Sequence, residues 1–181
     1  MSEVVTYNRE GTVGVITVDY PPVNALGHAV RSGLLAALEQ GLKDSEAKVL
    51  LLVCEGRTFI AGADIREFGK PIQEPSLPEV MNVFENSDKP VVAAIHGTAL
   101  GGGLETALGC HYRIALSSAK VGLPEVKLGL LPGAGGTQRL PRVIGLERAA
   151  RMAANGKPVN AKSFEEFGGL DLVFSGDAIQ A

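Results

Sequence analysis

Two isolated glutamates are the residues of this sequence best suited to acid–base chemistry. Glu105 follows three consecutive glycines, Gly101 to Gly103, and stands among small and apolar residues. Glu125 comes twenty residues later, after the stretch Gly122-Leu123-Pro124. Glutamates are rarely buried without a partner. Two of them in apolar surroundings therefore predict a pair of carboxylates that transfer protons.

Two glycine-containing loops could place backbone N–H groups beside a reacting molecule. Gly101 to Gly103 follow a strand-like run, Val91 to His96, and would form the first turn of a helix. A similar loop, Ala61 to Asp64, follows the apolar run Val49 to Cys54 and leads into a helical start. Glycine lets backbone approach a ligand closely, and the free N–H groups at a helix start favour an anion. Two donors from separate segments form an oxyanion hole if the fold brings them to one oxygen atom.

Alternating strand and helix patterns along the chain predict an α/β fold. Val13 to Asp19 is typical of a strand, and His28 to Leu42 has the apolar spacing of an amphipathic helix. Apolar runs such as Val49 to Cys54 are expected in a sheet that is covered on both faces. Leu146 to Ala154 predicts a short helix, and the proline-containing residues 71–78 predict a mobile loop. Further strands are predicted at Val91 to His96 and Tyr112 to Leu116.

The composition is that of a globular protein of one domain. The chain has 181 residues, of which 45% are hydrophobic and 20% are charged. Its formal charge of −3 argues against binding to nucleic acid or to an acidic membrane surface. Cys54 and Cys110 lack metal-ligand spacing and are expected to be reduced thiols in a cytosol-like compartment. We also expect no signal peptide and no transmembrane segment, since no apolar run has the required length.

Four linked motifs resemble the enoyl-CoA hydratase/isomerase (crotonase) family and occur in the family's order. The resemblance extends from the Pro21-Pro22 region to Asp171, and it implies a spiral of repeated ββα units. Leu108 to Ala115 most resembles the hydratase module of multifunctional β-oxidation enzymes, in which a 3-hydroxyacyl-CoA dehydrogenase is fused to it. The motifs are Phe59-x-Ala61-Gly62-Ala63-Asp64, Ala99-Leu100-Gly101-Gly102-Gly103-x-Glu105, Gly122-x-Pro124-Glu125-x-x-x-Gly129 and Pro132-Gly133-Ala134-Gly135-Gly136-Thr137-Gln138-Arg139-Leu140.

The resemblance implies hydration of 2-enoyl-CoA thioesters to 3-hydroxyacyl-CoA in fatty-acid β-oxidation. Glu105 would orient and activate water, Glu125 would transfer a proton at Cα, and the N–H groups of Ala63 and Gly102 would form the oxyanion hole. No metal and no cofactor is expected for hydration, because acyl-CoA is the substrate, and NAD would be needed only by a fused dehydrogenase domain. The substrate-binding residues implied by the motifs are Ala61, Gly62, Asp64, Ile65, Gly101, Pro132 and Gly133.

Simpler explanations exist for each of these features. Glu105 could be a solvated helix residue, Glu125 could merely favour the start of a helix, and the glycine triplet could serve helix packing alone. The run Gly133 to Gly136 lacks the third glycine and the ribose-binding acid of a dinucleotide fingerprint, so that function is rejected. Instead, this run is expected to form a turn and a helix start along the acyl or pantetheine side.

Two alternative functions remain open from the sequence. A Δ3-Δ2-enoyl-CoA isomerase needs one base, and members restricted to that reaction commonly lack a carboxylate at the position of Glu105. The presence of both glutamates favours hydration, with isomerisation as a second activity. A non-catalytic binding relative, such as one that associates with RNA, is disfavoured by the acidic balance and the lack of a basic stripe.

Family members usually continue through several helices beyond the region of Asp171, and those helices build a trimer. Residues 1–181 are therefore expected to be the core domain of a longer chain, with the C-terminal helical region truncated. The expected partner is a homotrimer if the domain is free-standing, or a covalently fused dehydrogenase domain. The expected location is the cytoplasm, or the peroxisome if the source is eukaryotic.

Overall fold

The fold consists of two sheets and six helices, seen in a computed structural model that describes residues 4–176. Residues 1–3 and 177–181, the two ends of the expected domain, lie outside the described residues. The strands are β1 (Val5–Glu10), β2 (Val13–Val18), β3 (Val49–Cys54), β4 (Val91–Ile95), β5 (Thr98–Leu100), β6 (Tyr112–Leu116), β7 (Lys120–Gly122), β8 (Val159–Asn160) and β9 (Leu172–Phe174). The helices are α1 (His28–Lys43), α2 (Leu77–Glu85), α3 (Gly102–Gly109), α4 (Gly136–Ile144), α5 (Leu146–Asn155) and α6 (Ala161–Glu166).

The larger sheet has the strand order β1-β2-β3-β4-β6-β9. Only β1 is antiparallel to its neighbour, and the other pairs run parallel. Parallel strands need crossover connections, which the chain supplies with helices such as α1 between β2 and β3. The segments that follow β3 and β4 therefore leave the sheet at the same edge, where open α/β sheets usually bind ligands. This confirms the predicted α/β class.

A second sheet, of order β5-β7-β8, brings two distant chain segments together. Strands β5 and β7 are parallel, with Leu100 opposite Gly122. The amide of Gly101 donates to the carbonyl oxygen of Gly122 at 2.8 Å. Because the two strands end side by side, α3 after β5 and the turn after β7 start from neighbouring points. Those two elements carry Glu105 and Glu125.

In strands β2, β3 and β4 one face of the larger sheet is buried, and the other is only half-buried. In β3 the side chains of Leu50 and Leu52 are fully buried, whereas those of Leu51 and Val53 keep partial exposure. Helix α1 packs against β1 and β2 through buried residues at helical spacing, among them Val30, Leu34 and Leu38. The expected cover on both faces of the apolar strands is therefore complete on one face and partial on the other within residues 4–176.

The predicted strands and helices occur close to the expected positions. The mobile loop predicted at residues 71–78 is wrong for its last two residues, which are helical. Helix α2 begins within it at Leu77, where Pro78 fits the first turn, and Ser76 with Glu79 forms a capping box. The preceding segment is bound by the buried side chain of Arg31. No helix in the described part of the chain is long and apolar enough to cross a membrane.

Candidate active site

Glu105 lies on α3 and is only 2% exposed, so it is not a solvated helix residue. Its Oε1 accepts the amide hydrogens of Ala134 at 2.8 Å and of Gly136 at 2.7 Å. These donors belong to the loop and first residue of α4, where the N–H groups have no partner inside the helix. The glycine-rich loop before α4 thus binds a carboxylate of the protein itself.

Burial raises the pKa of Glu105 above its ordinary value, because desolvation disfavours the charged carboxylate. The amides of Gly136 and Ala134, and the positive charge of Arg139, act in the opposite direction. Burial has the larger effect, so the carboxylate has a higher proton affinity than a solvated glutamate while its orientation is held by two hydrogen bonds.

Glu125 begins a short 3-10 helix, Glu125–Leu128, directly after Pro124. Its Oε2 is buried and has no hydrogen-bond partner among residues 4–176. Burial is the main cause that raises the pKa of Glu125, and the charge of Glu105 raises it further. The two carboxylates are therefore close enough for one to affect the titration of the other, as the predicted pair requires.

Gly101 allows the carboxylate of Glu125 to approach the start of α3. Its backbone has a positive φ of 53°, and a Cβ at this position would lie 3.1 Å from Oε1 of Glu125. The same Cβ would be 3.9 Å from Cα of Gly62. A side chain at residue 101 would therefore be strained and would occupy space between the two loops.

The two predicted amide donors, those of Ala63 and Gly102, lie on adjacent segments. Residues 60 and 99 form a parallel bridge, and the amide of Leu100 donates to the carbonyl of Ile60 at 3.1 Å. The amide nitrogen of Ala63 is 3.5 Å from the position that a Cβ on Gly102 would take. Among the described residues, neither amide donates to another protein group. The arrangement leaves both N–H groups available to a ligand oxygen.

The glycine triplet also allows close packing at the start of α3. A Cβ on Gly102 would lie 2.9 Å from Leu77 and 3.0 Å from Leu26, whose side chains cover this part of the site. A Cβ on Gly103 would collide with the carbonyl oxygen of Ile60. Close packing is thus one consequence of the triplet, but Gly101 also borders the carboxylate of Glu125, and Gly102 borders the amide of Ala63.

The implied substrate-binding residues lie in three segments: the loop of residues 61–65, the start of α3, and the loop before α4. Gly62 has φ +118° and is buried next to Leu100, whereas Ile65 is 67% exposed at its edge. The carboxylate of Asp64 is engaged by Arg66, which donates to it from its backbone amide, Nε and Nη2. The remaining residues are Ala61 on the same loop, Gly101 at the start of α3, and Pro132 and Gly133 before the amides that bind Glu105.

Sequence analysis missed the amides of Ala134 and Gly136 as ligands of Glu105. Residues 133–136 were predicted to form a turn and a helix start that line the acyl or pantetheine side. The structure has the turn and the helix start. The available signal was the glycine pair directly before a helix, which marks exposed N–H groups that suit an anion. Leu26, Leu77 and Arg139 were also not identified as residues bordering the site or its supports.

The sequence of this chain is similar to those of known proteins. Residues 8–181 match the enoyl-CoA hydratase/isomerase family. The chain is 48% identical over 162 residues to a peroxisomal bifunctional enzyme of Danio rerio, covering 90% of this chain and 23% of that protein. It is 44% identical over 163 residues to a probable enoyl-CoA hydratase of Bacillus subtilis, covering 86% of this chain and 63% of that protein.

The solved structures similar to this one include an enoyl-CoA hydratase from Thermoplasma volcanium. The TM-score is 0.90 at 33% identity, with 99% of this chain and 75% of that chain covered. By contrast, this chain spans less than two thirds of the length of the two relatives described above. The family match over nearly all of its residues and the shared architecture are nevertheless sufficient to place it. The chain belongs to the enoyl-CoA hydratase/isomerase family.

Proposed function

We propose that the protein hydrates 2-enoyl-CoA thioesters to 3-hydroxyacyl-CoA. The observation that carries the proposal is the pair of desolvated carboxylates, Glu105 and Glu125, beside two unpaired amides on adjacent loops. An isolated buried carboxylate would be costly, and a pair in which the charge of Glu105 raises the pKa of Glu125 is typical of a site that transfers protons.

The amides of Ala63 and Gly102 would bind the thioester oxygen. Addition of water to a conjugated double bond places negative charge on that oxygen as an enolate. Two N–H groups that have no protein partner in the described residues can stabilise it without first breaking other bonds. A single donor of this kind contributes about 3 kcal/mol of transition-state stabilisation in other enzymes.

The two carboxylates would divide the proton transfers. With Oε1 held by two amides, Glu105 directs its other oxygen to water and takes a proton as the water oxygen bonds to Cβ. Glu125, whose Oε2 is unpaired and whose pKa is raised, donates a proton to Cα of the enolate. The product gains one hydroxyl and one hydrogen, and the proton on Glu105 is then returned to Glu125.

Isomerisation of a 3-enoyl-CoA is a second candidate activity. It requires one base that removes a proton from one carbon and returns it to another, together with the same oxyanion site. The carboxylate of Glu125 supports this candidate, because it lies beside Gly101 and its Oε2 has no hydrogen-bond partner in the described part of the chain. Glu105 would be dispensable for isomerisation but required for hydration. Substitution of Glu105 would therefore distinguish the two activities.

We also propose a metabolic role, a partner and a cellular location for the protein. The Danio rerio relative is named a peroxisomal bifunctional enzyme, and this chain matches about a quarter of it. We propose a β-oxidation role with acyl-CoA as the only ligand needed for hydration, either fused to a dehydrogenase domain that uses NAD or as a homotrimer. A peroxisomal location follows in the first arrangement if the source is eukaryotic, and a cytoplasmic location otherwise.

A direct assay tests the proposed activity. The protein would be mixed with a short-chain 2-enoyl-CoA, with loss of the conjugated thioester absorbance as the signal and mass spectrometry to identify the product. We expect addition of one water, and strong loss of this activity in E105Q and E125Q. Absence of turnover by the parent protein, or a product without added water, would contradict hydration.

A further inference from the structure

Arg139 on α4 contacts the loop that binds Glu105. Its Nη1 donates to the carbonyl oxygen of Ala134 at 2.9 Å. The amide of that same residue, Ala134, donates to Oε1 of Glu105. The guanidinium is therefore separated from the carboxylate by a single residue of backbone.

Gly135 lies between the two amide donors, and its lack of a side chain leaves room for the guanidinium of Arg139. Its φ is +95°, a conformation that side chains other than glycine rarely adopt. A Cβ on Gly135 would occupy the position of Nη1 of Arg139. The turn that presents both amides and the side chain of Arg139 therefore fit together only when residue 135 is glycine.

The other end of the guanidinium is bound by α2. Nη2 donates to Oδ1 of Asn82 at 3.0 Å and to Oε2 of Glu85 at 2.6 Å. The side chain of Arg139 is only 12% exposed, whereas that of Glu85 is 51% exposed. Arginine is suited to such an arrangement because its planar fork donates in fixed directions to several acceptors.

We propose that Arg139 is a positioning residue for Glu105, which sets the orientation of the two amides that hold its carboxylate. This inference rests on the proposed function, in which Glu105 activates water. Arg139 connects α2 to the turn before α4 through hydrogen bonds at both Nη atoms, so the turn cannot move independently of α2. Misplacement of a catalytic group by about 1 Å can cost about a hundredfold in rate.

The charge of Arg139 adds an electrostatic effect to this geometry. It lowers the pKa of Glu105 and thereby opposes the effect of burial. The elements packed against α3, and the turn after β7, carry these other charged or titratable groups: Glu79 and Glu85 on α2, Arg142 on α4, Tyr112 and Arg113 on β6, and Glu125 and Lys127 after β7. Of these, Glu125 is coupled to Glu105 by its charge.

Two substitutions separate position from charge. R139K keeps the positive charge but cannot reproduce the fork, whereas R139Q removes both. R142Q is the matched control, because Arg142 is an exposed arginine one turn along the same helix that donates only to the carbonyl of Gln138 among the described residues. Thermal unfolding of each variant would verify that it is folded before its activity is compared.

For hydration of a short-chain 2-enoyl-CoA, we expect kcat to fall about tenfold to a hundredfold in R139K and R139Q, with KM changed less than about threefold. The acid limb of the kcat–pH profile should move to higher pH in R139Q, stay near that of the parent in R139K, and be unaffected in R142Q. A parental kcat in R139K, or an equal loss in R142Q, would overturn the proposal, since either result would make unspecific positive charge sufficient.

A second measurement does not depend on turnover. Carbon-13 NMR of protein with labelled glutamate carboxyl groups, with the signal of Glu105 assigned by its loss in E105Q, gives the pKa of that group directly. We expect a higher pKa in R139Q and no change in R142Q. If the parent protein fails to hydrate any 2-enoyl-CoA, the proposed function fails alone; if the Glu105 signal titrates identically in parent and R139Q, the inference about Arg139 fails.

Discussion

Gly101 donates its amide hydrogen to the carbonyl oxygen of Gly122 at 2.8 Å, and this bond joins the two segments that carry the candidate catalytic acids. Glu105 lies four residues after the first glycine and Glu125 three residues after the second. The parallel pairing of β5 with β7 thus brings together two carboxylates that are twenty residues apart in the chain.

Replacement of either acid by its neutral amide should abolish most hydration. We expect E105Q and E125Q each to lower kcat by about a hundredfold or more, because each loses a group that transfers a proton. Initial rates with a short-chain 2-enoyl-CoA would measure this, with E147Q as control, since Glu147 is exposed on α5 and paired only with Arg151. A rate in either variant within a few-fold of that of E147Q would rule out the two-carboxylate mechanism.

The amide of Gly102 can be removed without removing the helix start. Gly102 is the first residue of α3, where proline is tolerated, so G102P deletes the N–H group at an acceptable position. G102A is the matched control, because it introduces a Cβ against Leu26 and Leu77 but keeps the N–H group. We expect kcat/KM of G102P to be about a hundredfold below that of G102A.

Equal rates in the two folded variants would exclude the Gly102 amide from the oxyanion hole. Circular dichroism and thermal unfolding of both proteins would verify that the comparison is between folded molecules. A loss in G102A as large as in G102P would instead assign the effect to the added carbon beside Leu26 and Leu77, and would equally contradict the role of the amide.

Glu125 should reduce the stability of the fold at neutral pH. Its pKa is higher in the folded protein than its ordinary value, so the folded state binds the proton more tightly than the unfolded chain. The contribution of Glu125 to stability is therefore fully present below its ordinary pKa, and it is lost as the pH rises through the raised pKa of the folded protein. We expect E125Q to be more stable than the parent at pH 7 and to lose this advantage near pH 4.

Urea unfolding of both proteins at the two pH values would measure that difference. E147Q again serves as control, because Glu147 is exposed and its substitution makes the same change of residue type without touching the candidate site. An E125Q protein that is less stable than the parent at pH 7, by an amount that does not change with pH, would show that the carboxylate is not destabilising in the fold.

Arg31 should be required for the order of the segment before α2. This side chain is 6% exposed and donates to the carbonyl oxygens of Leu26, Gln73 and Pro75 and to the carboxylate of Glu67. Its loss leaves several acceptors without a donor in a partly buried site. We expect R31M to lower the free energy of unfolding by about 3 kcal/mol.

Hydrogen exchange would localise this effect. Faster exchange in R31M should be concentrated in residues 64–76, next to the candidate oxyanion segment, whereas R151Q should change the stability by less than about 0.5 kcal/mol because its pair with Glu147 is exposed. Uniformly faster exchange along the chain, or a cost in R151Q as large as in R31M, would contradict a specific role of Arg31 in that segment.

Several features of the fold were predictable because their signals are local. The buried strands β2, β3, β4 and β6 and the helices α1 and α5 carry apolar runs or helical periodicity over at least five residues. Strands β5, β7, β8 and β9 contain only two or three residues each, which is too short for an alternating pattern. They form because pairing partners are already in place, and that information is not in their own residues.

The sequence by itself determined the residue types of the candidate site: two acids in apolar company, and glycines where backbone must come close. Tertiary structure decided which atoms meet. Oε1 of Glu105 is held by amides 29 and 31 residues further along the chain, and those amides are backed by Arg139. Such contacts depend on strand pairing and helix packing across long chain separations, and the same N–H groups would suit any nearby anion. Only the fold shows that Gly136 faces a carboxylate of the protein, and that the amides of Ala63 and Gly102 have no partner within residues 4–176.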